Sequence, residues 1–269
     1  MRTISSKPGS KGRVVFAMAW LRAAWIIGLI PNLASAQSHT GLALPSDSLL
    51  QVVKVCEQMQ SLAAVSFPCL KVVRADASHG GFAIVPSPGE ADILLVPLKK
   101  LLGIESPELL TEGSANWWQL AWDVRDLLIE RSPRQISRDD IGLAVNSREA
   151  RSQDQLHIHI ACIDPGMRSK IAPFERAITR TWSSFPIRLA SRSWWAMRLE
   201  EDDLRSNPFR LLKELRSAAG GSMGDWGVAV LAWTFADGSD GFLVFAMRGS
   251  AVGGQKTSGA ALLDARCDR

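Results

Sequence analysis

The stretch Gln155-Leu156-His157-Ile158-His159-Ile160 alternates polar and apolar residues without a break. Alternation of this kind is the period of a β-strand, whose successive side chains point to opposite faces. Leu156, Ile158 and Ile160 therefore share the face that packs on a core. Gln155, His157 and His159 share the other, which is expected to be exposed. The chain has only four histidines, and two of them stand on this one strand face.

The flanking sequence gives the strand its setting. Ile141 to Val145 is a second short apolar strand, and residues 146–154 join the two as the polar loop of a hairpin. Upstream, Phe82 to Val85 and Ile93 to Pro97 read as strands around the turn signal Pro86-Ser87-Pro88-Gly89. Downstream, Gly227–Phe235 and Gly241–Met247 read as a hairpin about Asp237-Gly238-Ser239-Asp240. Helices are expected between these pairs. Leu49, Leu50, Val52, Val53, Cys56 and Met59 fall at helical spacing, with Ser46 or Asp47 as the cap. Asn116 to Arg131 reads as one long helix that Pro133 ends. Ile171, Phe174, Ile178 and Trp182 suggest another, and Asn207-Pro208 with Gly220 brackets a third. Strand pairs mixed with helices, without a regular βαβ alternation, predict an α+β fold with an antiparallel sheet. The glycine- and serine-rich tail from Gly249 to Gly259 reads as loose.

The first 36 residues differ in kind. They carry Arg2, Lys7, Lys11, Arg13 and Arg22 and no acid, and they end in Ala34-Ser35-Ala36. An apolar run from Ala23 to Ile30, stopped by Pro31, completes the pattern of a secretory signal peptide. The wider apolar stretch from Val14 to Leu33 also suits a single-span anchor, although Arg22 interrupts it. Either way the remainder, residues 37–269, is expected outside the cytoplasm as one catalytic domain. The whole chain has 31 basic and 27 acidic residues, a formal charge of +4. Five of those 31 bases lie in the leader, so residues 37–269 hold 26 bases against 27 acids, a net of −1. The basic character that would suggest nucleic acid thus belongs to the leader, and no nucleic-acid partner is expected.

Cys56, Cys69, Cys162 and Cys267 all follow the leader. An even count in an exported chain suggests disulfides, with four free thiols as the alternative. Pairing Cys56 with Cys69 closes a short loop, and pairing Cys162 with Cys267 ties the C-terminus to the middle. No C-x-x-C pair supports a zinc site.

Two imidazoles on a strand face suit either a metal, with His79 as a third ligand, or a nucleophile with an assistant. The adjoining loop favours the second. Asn146, Ser147, Arg148, Arg151, Ser152 and Gln153 supply the amides, hydroxyls and guanidinium forks that hold phosphate oxygens.

These residues resemble the histidine triad superfamily of nucleotidyl hydrolases and transferases, with Asn146, Ser152, His157 and His159 in matching places and Gln155 where the first histidine would stand. A closer resemblance is to the bacterial CDP-diacylglycerol pyrophosphatase family. It rests on Glu105-Ser106-Pro107-Glu108-Leu109-Leu110, on Trp117-Trp118-Gln119-Leu120-Ala121-Trp122, on the loop and histidine strand through Ala161-Cys162, on Met223-Gly224-Asp225-Trp226-Gly227 and on Cys267. The resemblance implies a histidine triad-like fold, location at the periplasmic side of the inner membrane, and a role in phospholipid metabolism. The implied reaction converts CDP-diacylglycerol and water to CMP and phosphatidate, or passes CMP to another acceptor, with no cofactor. His157 would be the nucleophile and His159 a phosphate contact. Asn146, Ser152 and Gln153 would be loop donors, and Gln155 an orienting residue. Their charge suggests Arg148 and Arg151 as phosphate clamps. The lipid half of the substrate requires a membrane surface, for which Trp117, Trp118, Trp122, Trp194 and Trp195 are candidates, core packing being the alternative. Trp117 and Trp118 are expected not to face inward together.

Overall fold

A computed structural model describes residues 46–76, 80–88, 90–249 and 258–268. The leader, His79 and most of the glycine-rich tail lie outside the described residues. The elements run α1 (Ser48–Ala63), β1 (Lys71–Val73), β2 (Phe82–Pro86), β3 (Ile93–Pro97), α2 (Trp117–Asp123), α3 (Asp126–Arg131), β4 (Ile141–Val145) and β5 (Ile158–Ile163). They continue as α4 (Pro165–Ile171), β6 (Ser183–Ser184), β7 (Trp195–Leu199), α5 (Pro208–Ala219), β8 (Trp226–Thr234), β9 (Asp240–Arg248) and β10 (Leu263–Asp264).

The strands form one antiparallel sheet in the order β1-β2-β3-β5-β4-β8-β9-β7-β6. β10 pairs with the far end of β5, beyond the reach of β3. With five helices packed on this sheet, the fold is α+β, as the alternating strand patterns predict. The histidine strand β5 is interior, held by β3 on one side and β4 on the other.

One sheet face carries the larger core. Ile93, Leu95, Leu143, Ile158, Ile160, Val230 and Val244 meet Trp118, Trp122, Leu128 and Phe209 from the helices. The other face carries two separate clusters. α1 covers the β1–β3 end through Leu49, Val53 and Cys56. Phe185, Leu189 and Trp194 cover the β8–β9–β7 end. His159 stands in register between Leu94, which packs toward the first cluster, and Ala144, which belongs to the second. The histidine face thus lies at the seam between two apolar covers.

Both disulfides form as the sequence suggests, Cys56–Cys69 and Cys162–Cys267. α5 has the expected cap, Asn207 Oδ1 accepting from Phe209 N, and ends at Gly220 with φ of 81°. Three local expectations need correction. The helix from Asn116 breaks into α2 and α3, because the Trp122 carbonyl turns to accept from both the backbone and the guanidinium of Arg125. The helix expected from Ile171 to Trp182 starts early, at Pro165, where Asp164 caps Met167 N, and passes into a 3-10 turn over Ala172–Ala177 before Trp182. The cap of α1 is neither the Ser46 nor the Asp47 side chain. Gln153, about a hundred residues away, accepts from Leu49 N and Ser48 Oγ.

The tryptophan reading also changes. Trp117, Trp118, Trp122 and Trp194 are buried, and Trp195 is half-buried. Trp117 and Trp118 are buried together because α2 is covered on two sides. Trp117 lies against Gly80, where a side chain would collide with its ring, and Trp118 packs on Phe209 at 5.3 Å. These rings build the core and offer no membrane surface.

Candidate active site

β5 enters the sheet at its histidines. The Leu156 amide donates to the Leu101 carbonyl, and regular pairing begins at Ile158. His157 is buried, where exposure was expected, and the loop after β3 runs beside the two residues that precede it. Gln155 fastens that loop. Its amide nitrogen donates to the Pro97 and Lys99 carbonyls at 3.0 and 2.9 Å, and its amide oxygen accepts from Leu101 N at 3.2 Å.

The orienting role expected of the Gln155 amide therefore passes to its backbone. His157 Nδ1 lies 2.8 Å from the Gln155 carbonyl oxygen. A carbonyl only accepts, so Nδ1 carries the proton and Nε2 keeps its lone pair. Burial, and then the neighbouring His159, pushes the His157 imidazole down to about 4. At neutral pH it is an uncharged base with its free nitrogen defined.

His159 is fixed at both ring nitrogens. Nδ1 lies 3.3 Å from Asp92 Oδ2, and Nε2 lies 3.4 Å from Asn146 Nδ2. Asn146 has no choice of orientation, since its Oδ1 accepts from Ser258 Oγ at 2.8 Å and from Ala260 N at 3.2 Å. The two imidazoles meet edge to face, 5.2 Å between centroids.

The loop donors divide between two tasks. Asn146 stands at the histidines, and Ser147 is buried beside it in sequence with an Oγ that has no partner among the described residues. Arg148 is exposed and pairs with Asp225 and Glu149 at 3.6 and 3.8 Å. Ser152 is exposed. Arg151 is committed elsewhere than to a phosphate: it is buried against Glu105 at 2.7 Å and reaches Asp154 at 3.0 Å. Gln153 caps α1. Arg151 and Gln153 thus tie the loop down, because a buried guanidinium and a helix end both demand partners.

Asp92, Ser258 and the Ala260 amide escaped the sequence reading. Asp92 had one legible signal, a carboxylate next to an apolar strand and buried by it. Its amide donates to the Ala265 carbonyl at 2.8 Å. The tail expected to be loose supplies the rest. Over Gly259–Leu262 it makes a 3-10 turn on the ends of β4 and β8, and a side chain at Gly259 would collide with the Val145 and Val228 carbonyls. The Cys162–Cys267 disulfide anchors this segment next to β5. Among the described residues no three or more His, Cys, Asp and Glu gather as metal ligands, and His79 is outside them.

A model of the family described as CDP-diacylglycerol pyrophosphatase matches residues 44–269. The chain belongs to the CDP-diacylglycerol pyrophosphatase family. A CDP-diacylglycerol pyrophosphatase of Yersinia pestis is 34% identical to it over 189 residues, which is 70% of this chain and 72% of the relative. The family match takes in α1, the whole sheet and the C-terminal segment that holds Asn146. In this member of the family, a neutral buried imidazole and a second imidazole braced by carboxylate and amide form a polar notch in an apolar sheet. Such a notch suits attack on phosphorus, with nitrogen as nucleophile and the Asn146 amide as donor for the charge that develops.

Proposed function

We propose that the chain hydrolyses CDP-diacylglycerol to CMP and phosphatidate by way of a nucleotidyl-histidine on His157. The carrying observation is the 2.8 Å contact of His157 Nδ1 with the Gln155 carbonyl, which leaves Nε2 unprotonated. Nε2 attacks the α-phosphorus, the bond from that phosphorus to the bridging oxygen breaks, and phosphatidate departs with the oxygen. Water then attacks the same phosphorus, the N–P bond breaks, and CMP and one proton are released. The second Asn146 amide hydrogen contacts a phosphate oxygen while His159 holds that amide in place, and the unpartnered Ser147 hydroxyl gains an acceptor that offsets its burial, worth about 1–3 kcal/mol. Arg148, exposed at the loop tip, supplies charge to the second phosphate.

An exported location, on the periplasmic side of the inner membrane, is supported by the basic leader and by two disulfides, which persist in oxidising compartments. The leader serves as signal or anchor. No helix among the described residues is long and apolar enough to cross a membrane.

The test is CMP release from CDP-diacylglycerol by full-length protein in EDTA, followed by mass spectrometry without acid to trap nucleotidylated His157. CMP from wild type and none from His157→Ala is expected. Activity that vanishes with chelator and returns with zinc, or that survives in His157→Ala, would overturn the mechanism.

A further inference from the structure

Among the described residues, large apolar side chains that remain exposed are few, and they are not scattered. Five of seven (Val55, Leu62, Val65, Phe67 and Leu70) lie between residues 55 and 70. They occupy the outer face of α1 and the loop that follows it. Leu62 is 85% exposed and Phe67 74%, values at which water meets nearly the whole side chain. The Cys56–Cys69 disulfide closes this loop on α1, so the apolar tip is held out by a covalent staple. Between Glu57 and Asp76 the chain has no acid and two exposed bases, Lys71 and Arg74. An apolar tip with a cationic collar is the pattern of a surface that enters the headgroup layer of an anionic bilayer.

The tip also connects with the active site. α1 spans about 24 Å from its first residue to its last. Its N-terminus is capped by Gln153 of the catalytic loop, and its C-terminus leads into the tip. A groove of about 1310 Å³ lies alongside, lined by Leu62, Arg74, Leu98, Lys99 and Trp117 among others. The Lys99 carbonyl is one of the two that the Gln155 amide holds. The groove therefore runs from the apolar tip to the loop that Gln155 fastens. Of the tryptophans that seemed suited to a membrane four are buried and Trp195 is half-buried, so the exposed apolar area lies on this tip.

We infer that Leu62, Val65, Phe67 and Leu70 dock the catalytic unit on an anionic phospholipid bilayer. The inference rests on the proposed action on a membrane lipid, and it assigns the contact surface to a stapled loop of the catalytic unit rather than to the leader alone.

Hydrogen exchange on the full-length protein tests it, with and without vesicles of phosphatidylcholine and phosphatidylglycerol. Amides of residues 61–70 are expected to exchange more slowly with vesicles. Unchanged exchange, or protection without vesicles that grows with protein concentration, would overturn the inference, the latter by showing a second copy on the tip. Activity supplies a second reading. Phe67→Ser and Leu62→Ser should each lower CMP release from vesicle-borne CDP-diacylglycerol about tenfold, the loss expected when one such side chain no longer partitions. Release from a short-chain CDP-diacylglycerol dissolved as monomer should not change. Equal loss on both substrates would sink the docking role. Wild type that releases CMP from neither would instead overturn the proposed function, while vesicle protection of residues 61–70 would still report docking.

Discussion

The protonation of His157 is the most exposed consequence of the site. Burial drives its imidazole down to about 4, whereas an unfolded chain holds it near the ordinary ~6.5. At pH 5.5 a histidine of pKa ~6.5 is about 9% neutral, and one of pKa about 4 is about 97% neutral. The neutral imidazole of the proposed nucleophile therefore persists about tenfold better in mild acid than an ordinary histidine would. Nitrogen-15 NMR of the imidazoles measures this directly, with the His157 signal assigned by its loss in His157→Gln. We expect a neutral ring protonated at Nδ1, unchanged from pH 8 to pH 5. An imidazolium at pH 6, or a neutral ring protonated at Nε2, would refute both the burial argument and the role of the Gln155 carbonyl. Stability carries the same signature. Between about pH 6.5 and 4 the unfolded chain binds a proton that the folded chain refuses, so stability falls as the pH drops through that window. The loss amounts to about 3 kcal/mol, and urea melts of His157→Gln should lack it.

Asp92→Ala should lower CMP release about tenfold to a hundredfold, from about 1–3 kcal/mol for the half-buried His159 N–H left without its acceptor. Asp92→Asn should lose less, because its Oδ1 still accepts; equal rates for both variants and wild type would contradict the bracing role. Replacing Cys162 and Cys267 by serine opens a loop of 105 residues and should cost about 4–5 kcal/mol in urea melts, against about 3 kcal/mol for the 13-residue Cys56–Cys69 loop. The first pair should also reduce activity, since the segment that holds Asn146 is then released. Arg151→Met should destabilise by about 3–5 kcal/mol through an unpaired Glu105, whereas Arg148→Met should shift thermal midpoints little. Similar midpoints for the two variants would refute the division of the loop.

Legibility followed the range of the interactions. β5, the β8–β9 hairpin and the α5 caps were all readable, because each is set by period or by residues a few positions apart. β1, β6 and β10 were not, since strands of two or three residues are too short to show a period, and β7 was not, since its place is set by β9, more than forty residues on. The histidine pair was plain in the alternation Gln155 to Ile160. Its exposure was misread, because alternation along one strand cannot show what distant segments lay against a face. Asn146 was found by type, but its clamp by Ser258 and Ala260 spans more than a hundred residues.

By itself the sequence determined the α+β class, the histidine strand and its polar loop; for the four cysteines it offered a pairing among three, which the tertiary structure decided. Alternation, capping and composition are local and survive in a linear string. Tertiary structure alone decided which groups the histidines meet. It gave His157 to a backbone carbonyl and His159 to Asp92 and Asn146, turned Arg151 and Gln153 inward, and buried the tryptophans. Those outcomes depend on desolvation and on pairing between distant segments, which exist only once the sheet has brought β3, β4, β5 and the C-terminus together.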